Sequence, residues 1–275
     1  MDKSLITLSI EEFGFALASL GADDVAAGLL KPMYGELKEN EWELVLRAAS
    51  HSLLSKGLIV RMEENEIEFV PELLDMLVHF AKSRSMLRGY TDWDGQEKVL
   101  TIHKGTESGD PYLYHLSIDQ RIHLFTWTEP SEWEEELYRL YVGQARTLPP
   151  GTSSRFQLPE SQWSQLTENP ALNNAERLIN EWSVDAADKD LIVSWCTDFQ
   201  ASGRSLDNLS IMNYSQEELP AAESILLLLH TDNHFWSVYD TPQESEAETL
   251  ITIERTGESS LRTHLQGMIK QFANQ

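Results

Sequence analysis

Between Met86 and Trp127 the chain alternates apolar and polar residues, and that block restricts the fold more than any other. "SMLRGYTDW" and "KVLTIHK" flank Asp94-Gly95, and "YLYHLS" and "RIHLFTW" flank Asp119-Gln120. Two strand–turn–strand signals in succession predict two antiparallel hairpins. Such a sheet needs helical cover, and the flanking segments supply it. "TWTEPSEWEEELYRLY", residues 126 to 141, runs from the end of a strand into an acidic helix. Ser131 with Glu134 reads as its capping box. Near the C-terminus "TLITIERTGESSLRTHLQGMI" repeats that exit. The same strand–turn–helix ending twice in one chain predicts an internal duplication.

The elements before the hairpins are helical. Ser9 and Glu12 form a capping-box pattern, Phe13, Ala16, Leu17 and Leu20 share a face, and Gly21 ends the helix. "ADDVAAGLLK" is a second helix. Asn40 with Glu43 caps a third, with Trp42, Val45, Leu46, Ala49 and Leu53 on one face and Gly57 at its end. "LIVRMEENEIEFV" gives two short strands around a polar tip. Pro71 opens a helix with Leu73, Leu74, Leu77, Phe80 and Ala81 inward. Helices followed by a small hairpin read as a winged-helix-like N-terminus.

"RTLPPGTSSRFQLPE" carries three prolines, one glycine and two serines and reads as a linker over 147–160. The second half then repeats the order. "NPALNNAERLINEW" and "DAADKDLIVSWCTDF" are helical, with Leu191, Ile192, Trp195, Cys196 and Phe199 on one face. "SILLLLH" is an unbroken apolar run, as expected of a strand covered on both faces. "FWSVYD" and "TLITIE" follow across the acidic loop "TPQESEAE". The last helix runs from near Thr256 to Phe272. The expected fold class is α+β, a quasi-twofold duplicated architecture with a central antiparallel sheet flanked by helical bundles. The expected halves are 1–146 and 147–275, sharing one sheet.

Charge excludes one class of partner. Lys and Arg number 21 against 45 Asp and Glu, a net charge of −24, which repels phosphate backbones. The third helix, the would-be recognition helix of a winged-helix regulator, offers only Arg47 and Lys56 against Glu41 and Glu43. No nucleic-acid partner is expected. A winged-helix-type transcriptional regulator or an adaptor protein stands as the alternative function. The longest apolar run, "ILLLL" at 225 to 229, is too short to span a bilayer, so no membrane insertion is expected. Cys196 is the only cysteine, and "MDKSLITLSIEEF" lacks a signal-peptide pattern; both point to a cytoplasmic protein.

No catalytic motif emerges. The phosphate loop, the dinucleotide fingerprint and the nucleophile elbow are all missing. Cys196 sits on an apolar helix face beside Trp195 and reads as a packed thiol. His230 and His234 flank Asp232 with a spacing that converges only on a helix, whereas this segment reads as strand end and turn. "DWDG" lacks the downstream ligand of a calcium loop and reads as a hairpin turn. His103, His115 and His123 cluster if their strands pair with one face in common. Glu132, Glu134, Glu135 and Glu136 read as a solvated helix start. The expectation is a non-enzymatic protein with no catalytic residues, no metal and no cofactor.

"LITLSIEEFGFALASLG", "LLSKGLI", "VPELLDMLVHFAKS" and the ending "FWSVYDTPQESEAETLITIERTGESSLRTHLQGMIKQF" carry a family resemblance over nearly the whole chain. In element order the chain resembles the EspG family of type VII secretion chaperones. The resemblance implies a cytoplasmic chaperone for helical-hairpin secreted proteins, PE/PPE-like or of the WXG or LXG class. It places partner contact on a sheet loop, here 103–112, and on a helical bundle, here 171–206. The contact residues so implied are Lys104, Glu107, Asp110 and Tyr112 in the loop. "FQASGRSLDNLSIMNY", which shows no clear helical period, adds Leu206, Leu209 and Met212. Leu206, Leu209, Ile211 and Met212 read equally well as a plug of core beneath a loop.

Overall fold

The computed structural model describes residues 4–63, 66–92, 95–107, 109–143, 147–148, 154–168, 172–182, 184–214, 221–241 and 249–275. The chain is α+β, with a large antiparallel sheet flanked by helices. It forms two compact units. Met1–Leu87, Asp94–Glu129 and Asn213–Ala221 make the first; Arg88–Trp93, Pro130–Met212 and Ala222–Gln275 make the second.

The first unit opens with strand β1 (Ile6–Ser9) running directly into helix α1 (Ile10–Ser19), followed by α2 (Asp23–Tyr34) and α3 (Glu39–Ser55). The hairpin β2 (Ile59–Glu63) and β3 (Glu66–Phe69) leads to α4 (Pro71–Lys82). The start of β4 (Ser85–Thr91), then β5 (Lys98–His103), β6 (Tyr112–Ile118) and β7 (Ile122–Thr128) complete it. Its strand order is β1-β7-β6-β5-β4. The β6–β7 turn places Asp119 and Gln120 at φ 51° and 55°, a left-handed pair without glycine. Asp119 is held there by the Glu97 amide, which donates to its Oδ1 at 3.1 Å. The core gathers Leu8, Phe13, Leu17, Leu53, Leu73 and Phe125.

Ser9 and Glu12 form the expected reciprocal cap, with the Ser9 amide donating to Glu12 Oε2 at 2.7 Å and the Glu12 amide to Ser9 Oγ at 3.3 Å. Glu12 does more than cap. It is 2% exposed, and its carboxylate also accepts from Ser52 Oγ and Lys56 Nζ, both at 2.6 Å. Burial alone would raise its pKa, but these donors outweigh burial and hold it below the usual carboxylate range. α3 starts at Glu39, earlier than the Asn40 cap predicted. The Lys38 amide donates to Glu41 Oε2 at 2.8 Å, so Glu41 rather than Glu43 closes the turn. On α4 Met76 is buried where Ala81 was expected, and Ala81 is exposed.

The second unit takes the end of β4, α5 (Pro130–Val142), β8 (Arg155–Pro159), α6 (Glu160–Glu168), α7 (Leu172–Glu181) and α8 (Ala186–Ala201). It continues through β9 (Asp207–Asn213), β10 (Ala221–His230), β11 (Phe235–Thr241), β12 (Leu250–Arg255) and α9 (Glu258–Ala273). Its strand order is β4-β9-β10-β11-β12-β8. The core under α8 gathers Phe156, Ile192, Trp195, Cys196, Trp236 and Ile253. α5 packs beside α9, with Trp133 and Phe272 in ring contact at 5.8 Å. Gly89 of β4 lets α5 approach the sheet, since a Cβ there would lie 2.8 Å from Leu140 and from the Tyr141 hydroxyl.

Three expectations change here. Ser131 is not a cap, because α5 already begins at Pro130; Glu134 instead accepts from Arg262 and Gln266 of α9. In the predicted linker, 149–153 lie outside the described residues, while 155–159 form β8 and pair with β12. "SILLLLH" alternates only at its start, with Ile225 47% and Leu226 2% exposed, while the adjacent Leu228 and Leu229 are both buried, at 0% and 1%. The duplication is visible in topology. Exchanging β1 for β8, β7 for β12, β6 for β11, β5 for β10 and β4 for β9 turns one strand order into the other. Both halves open with a strand that passes into a helix without a spacer.

Glu12→Ala leaves the Ser9 amide and the Ser52 hydroxyl without their acceptor and the Lys56 ammonium with only the Thr7 carbonyl, at 3.2 Å. It should cost the first unit about 2–4 kcal/mol, read from the urea unfolding midpoint. Because the carboxyl is held low in the folded protein, the wild type should lose this stability in acid, as pH falls through that depressed pKa. A change under about 0.5 kcal/mol in the variant would mean that water replaces the carboxylate at little cost.

Candidate functional site

The loop joining β5 and β6 is held from both ends by its neighbours. The Lys104 amide donates to Ser85 O and the Lys104 carbonyl accepts from Ser83 Oγ, each at 3.0 Å. His79 Nε2 lies 3.3 Å from the His103 carbonyl. Farther out the loop closes on itself, with the Glu107 amide donating to Asp110 Oδ2 at 2.9 Å and the Asp110 amide to Glu107 O at 3.3 Å. Gly105 is required, since a Cβ there would collide with the Asp110 side chain. Glu107 is exposed, Lys104 and Asp110 are half-buried, and Ser108 lies outside the described residues. Tyr112 is half-buried and opens β6, paired with Thr128. The loop therefore presents a braced, polar tip.

Beneath it lies a cluster that the sequence left conditional. His103, Thr101, His115 and His123 form a hydrogen-bonded row across β5, β6 and β7. Thr101 Oγ1 is 2.9 Å from His103 Nε2 and 3.0 Å from His115 Nδ1, and His115 Nε2 is 2.9 Å from His123 Nδ1. The Thr101↔His115 and His115↔Phe125 registers place these side chains on one sheet face. Phe13, Phe80 and Phe125 pack against the imidazoles at centroid distances of 4.6 to 5.8 Å. Burial lowers all three pKa values, His103 to about 3 and His123 to about 4, with His115 well below its ordinary value. The row is neutral at pH 7.

In the second unit, Leu206 is half-buried and packs against the core, and Leu209 is 0% exposed inside β9. Met212 is half-buried near the end of the same strand. The segment lacks helical period because it is a strand, and Leu209 is a core residue rather than a surface contact. Asp198 Oδ2 accepts from His234 Nδ1 and Trp236 Nε1, both at 2.8 Å, which ties α8 to β11. That commits His234 to structure. Among the described residues no group of three or more His, Cys, Asp or Glu side chains is arranged to hold a metal ion. Burial pushes the Cys196 thiol up to about 12, which removes it as a nucleophile near neutrality. Sequence reasoning missed Asp198, whose partners lie 36 and 38 positions away.

The family model described as "Uncharacterised protein YfjC" matches residues 5–265. The chain belongs to the YfjC family. No curated protein matches it. Among solved structures, this YfjC-family chain is similar to the Mycobacterium tuberculosis type VII secretion system chaperone EspG5, solved in complex with a PE25–PPE41 dimer. The TM-score is 0.67 at 9% sequence identity, over 98% of this chain and 96% of that one. The likeness is one of fold. The EspG resemblance read from element order therefore holds as architecture, and YfjC is the family. No helix among the described residues is long and apolar enough to cross a membrane.

The imidazole row has a pH signature. Its folded pKa values lie below the unfolded value near 6.5, so its stabilising contribution is complete above about pH 6.5. That contribution should be lost progressively as pH falls toward 4. Side-chain 15N spectra should show His103, His115 and His123 neutral at pH 5.5. Protonation of any of them near pH 6.5 with the fold intact would contradict the burial described.

Proposed function

We propose that this YfjC-family chain is a non-enzymatic, chaperone-like protein that holds a helical-hairpin secretion substrate in the cytoplasm. The fold likeness to EspG5 over 98% of the chain carries the reading, because that protein was solved holding a PE25–PPE41 dimer. The partner class proposed is a helical-hairpin protein, PE/PPE-like or of the WXG or LXG kind. We assign its contact to the β5–β6 loop through Lys104, Glu107, Asp110 and Tyr112. A braced loop loses little conformational entropy on binding, and a tyrosine at its base is the residue type that dominates interface energy. Leu206 and Met212 form a second proposed contact segment, on the other unit.

The regulator alternative loses ground on charge. Arg47 pairs with Glu43, Lys56 with Glu12 and Arg61 with Glu63, so the cations on α3 and the β2–β3 hairpin are engaged by carboxylates. Phosphate contacts would have to break those pairs against a net charge of −24. Duplex DNA should show no retardation at physiological salt.

The binding reading is tested by isothermal titration with WXG- or LXG-class hairpin proteins from the same genome. Tyr112→Ala and the double charge reversal Lys104→Glu with Glu107→Lys should each weaken binding by at least about tenfold. Circular dichroism should remain that of the wild type. Unchanged affinity in both variants would remove the loop from the interface, and absence of binding to any such hairpin would remove the function.

A further inference from the structure

A cavity of about 400 Å³ opens in the first unit, next to the imidazole row. Ser83, Thr101, His103 and His115 contribute its polar lining, with the Ser83 hydroxyl already donating to the Lys104 carbonyl, and Phe80, Met86 and Tyr214 much of the rest. Its remaining lining includes Val25, 40% exposed, and Ala81, also exposed, so the cavity reaches the surface between α2 and α4. None of the lining residues carries a formal charge at neutral pH, in a chain where charged residues make up 24%. Neither the family nor the fold likeness assigns this space a role.

We propose that this cavity binds a neutral, ring-bearing small molecule carrying one hydroxyl or N–H group. The volume fits a one- or two-ring body and lies at the lower end of ligand pockets. Two aromatic rings and a thioether favour an aromatic body through edge, stacking and sulfur contacts. A charged ligand would be desolvated against neutral imidazoles with no counter-charge, which is costly.

The polar side of the cavity is adaptable. The row from His103 through Thr101 and His115 to His123 has two self-consistent hydrogen-bond directions. In one, His115 donates to Thr101 and Thr101 donates to His103 Nε2, which leaves a proton on His103 Nδ1. In the other every bond reverses and His103 Nδ1 becomes an acceptor, while the His123 proton moves to Nε2, which is buried with no partner among the described residues. The first direction is therefore the resting one. His103 engages its neighbours through Nε2, and no hydrogen bond among the described residues uses Nδ1. A ligand hydroxyl or N–H can therefore be met by selecting one direction, with no net transfer of charge. This inference does not depend on the proposed protein partner.

The experiment is a titration of the full chain with phenol, indole, toluene, benzoate and benzylammonium, followed by backbone and histidine side-chain 15N NMR. Phenol and indole should bind saturably, with shifts confined to cavity residues and with a response at the His103 ring. Toluene should bind about tenfold more weakly than phenol, for want of one hydrogen bond. That gap should narrow in Thr101→Val. Ala81→Phe, on the rim where folding is unaffected, should block all binding. Absence of saturable binding would mean a merely solvated cavity and overturn the proposal. So would benzoate or benzylammonium binding as tightly as phenol, or shifts mapping elsewhere.

Discussion

The first unit depends on a junction one peptide long. Ser9 is both the last residue of an edge strand and the N-cap of a helix, and Glu12 closes that cap while accepting from Ser52 of α3 and from Lys56 just past its end. With the strand paired to β7 and the helix tied to α3, Phe13 is carried onto the sheet between Phe80, His115, His123 and Phe125. That ring covers the His115–His123 end of the imidazole row. The burial that keeps His115 and His123 neutral thus depends in part on where one capping box points α1.

Duplication explains the architecture, and divergence separates the roles. Each half builds a strand-to-helix opening, a set of antiparallel strands and a closing helix. The first half fills its sheet face with Thr101, His103, His115 and His123 under phenylalanine. The second fills the corresponding space with Trp195, Trp236 and Phe199, and uses Asp198 to anchor Trp236 and His234. One unit thus keeps a cavity with a polar lining, while the other has a packed tryptophan core. Most of the buried polar groups are matched to partners, as burial requires, but His123 Nε2 in the first unit and Trp195 Nε1 in the second have none among the described residues.

Local signals carried much of the fold. Ser9 with Glu12, Gly57 at φ 69°, Pro71 at a helix start and Gly95 at φ 77° each act within a few residues, and each was legible in the sequence. What escaped depends on distant partners. β1 and β8, of four and five residues, are edge strands ordered by their pairing with β7 and β12. The cap expected at Asn40 yields to Lys38 because Glu41, not Glu43, reaches back to an amide. Ser131 yields to Pro130, while Glu134 is drawn to Arg262 more than a hundred positions away. The loop was legible as a loop, from Gly105, Gly109 and Pro111. Its bracing by Ser83, Ser85 and Asp110 was not, and neither was the joining of three histidines through a threonine.

Hydrogen–deuterium exchange of the full chain, with and without a bound helical-hairpin substrate, tests the central claim most directly. The account predicts new protection concentrated at residues 104–112, with the hydrogen-bonded interior of β5, β6 and β7 unchanged. A bound substrate that leaves 104–112 exchanging at its free rate would contradict it.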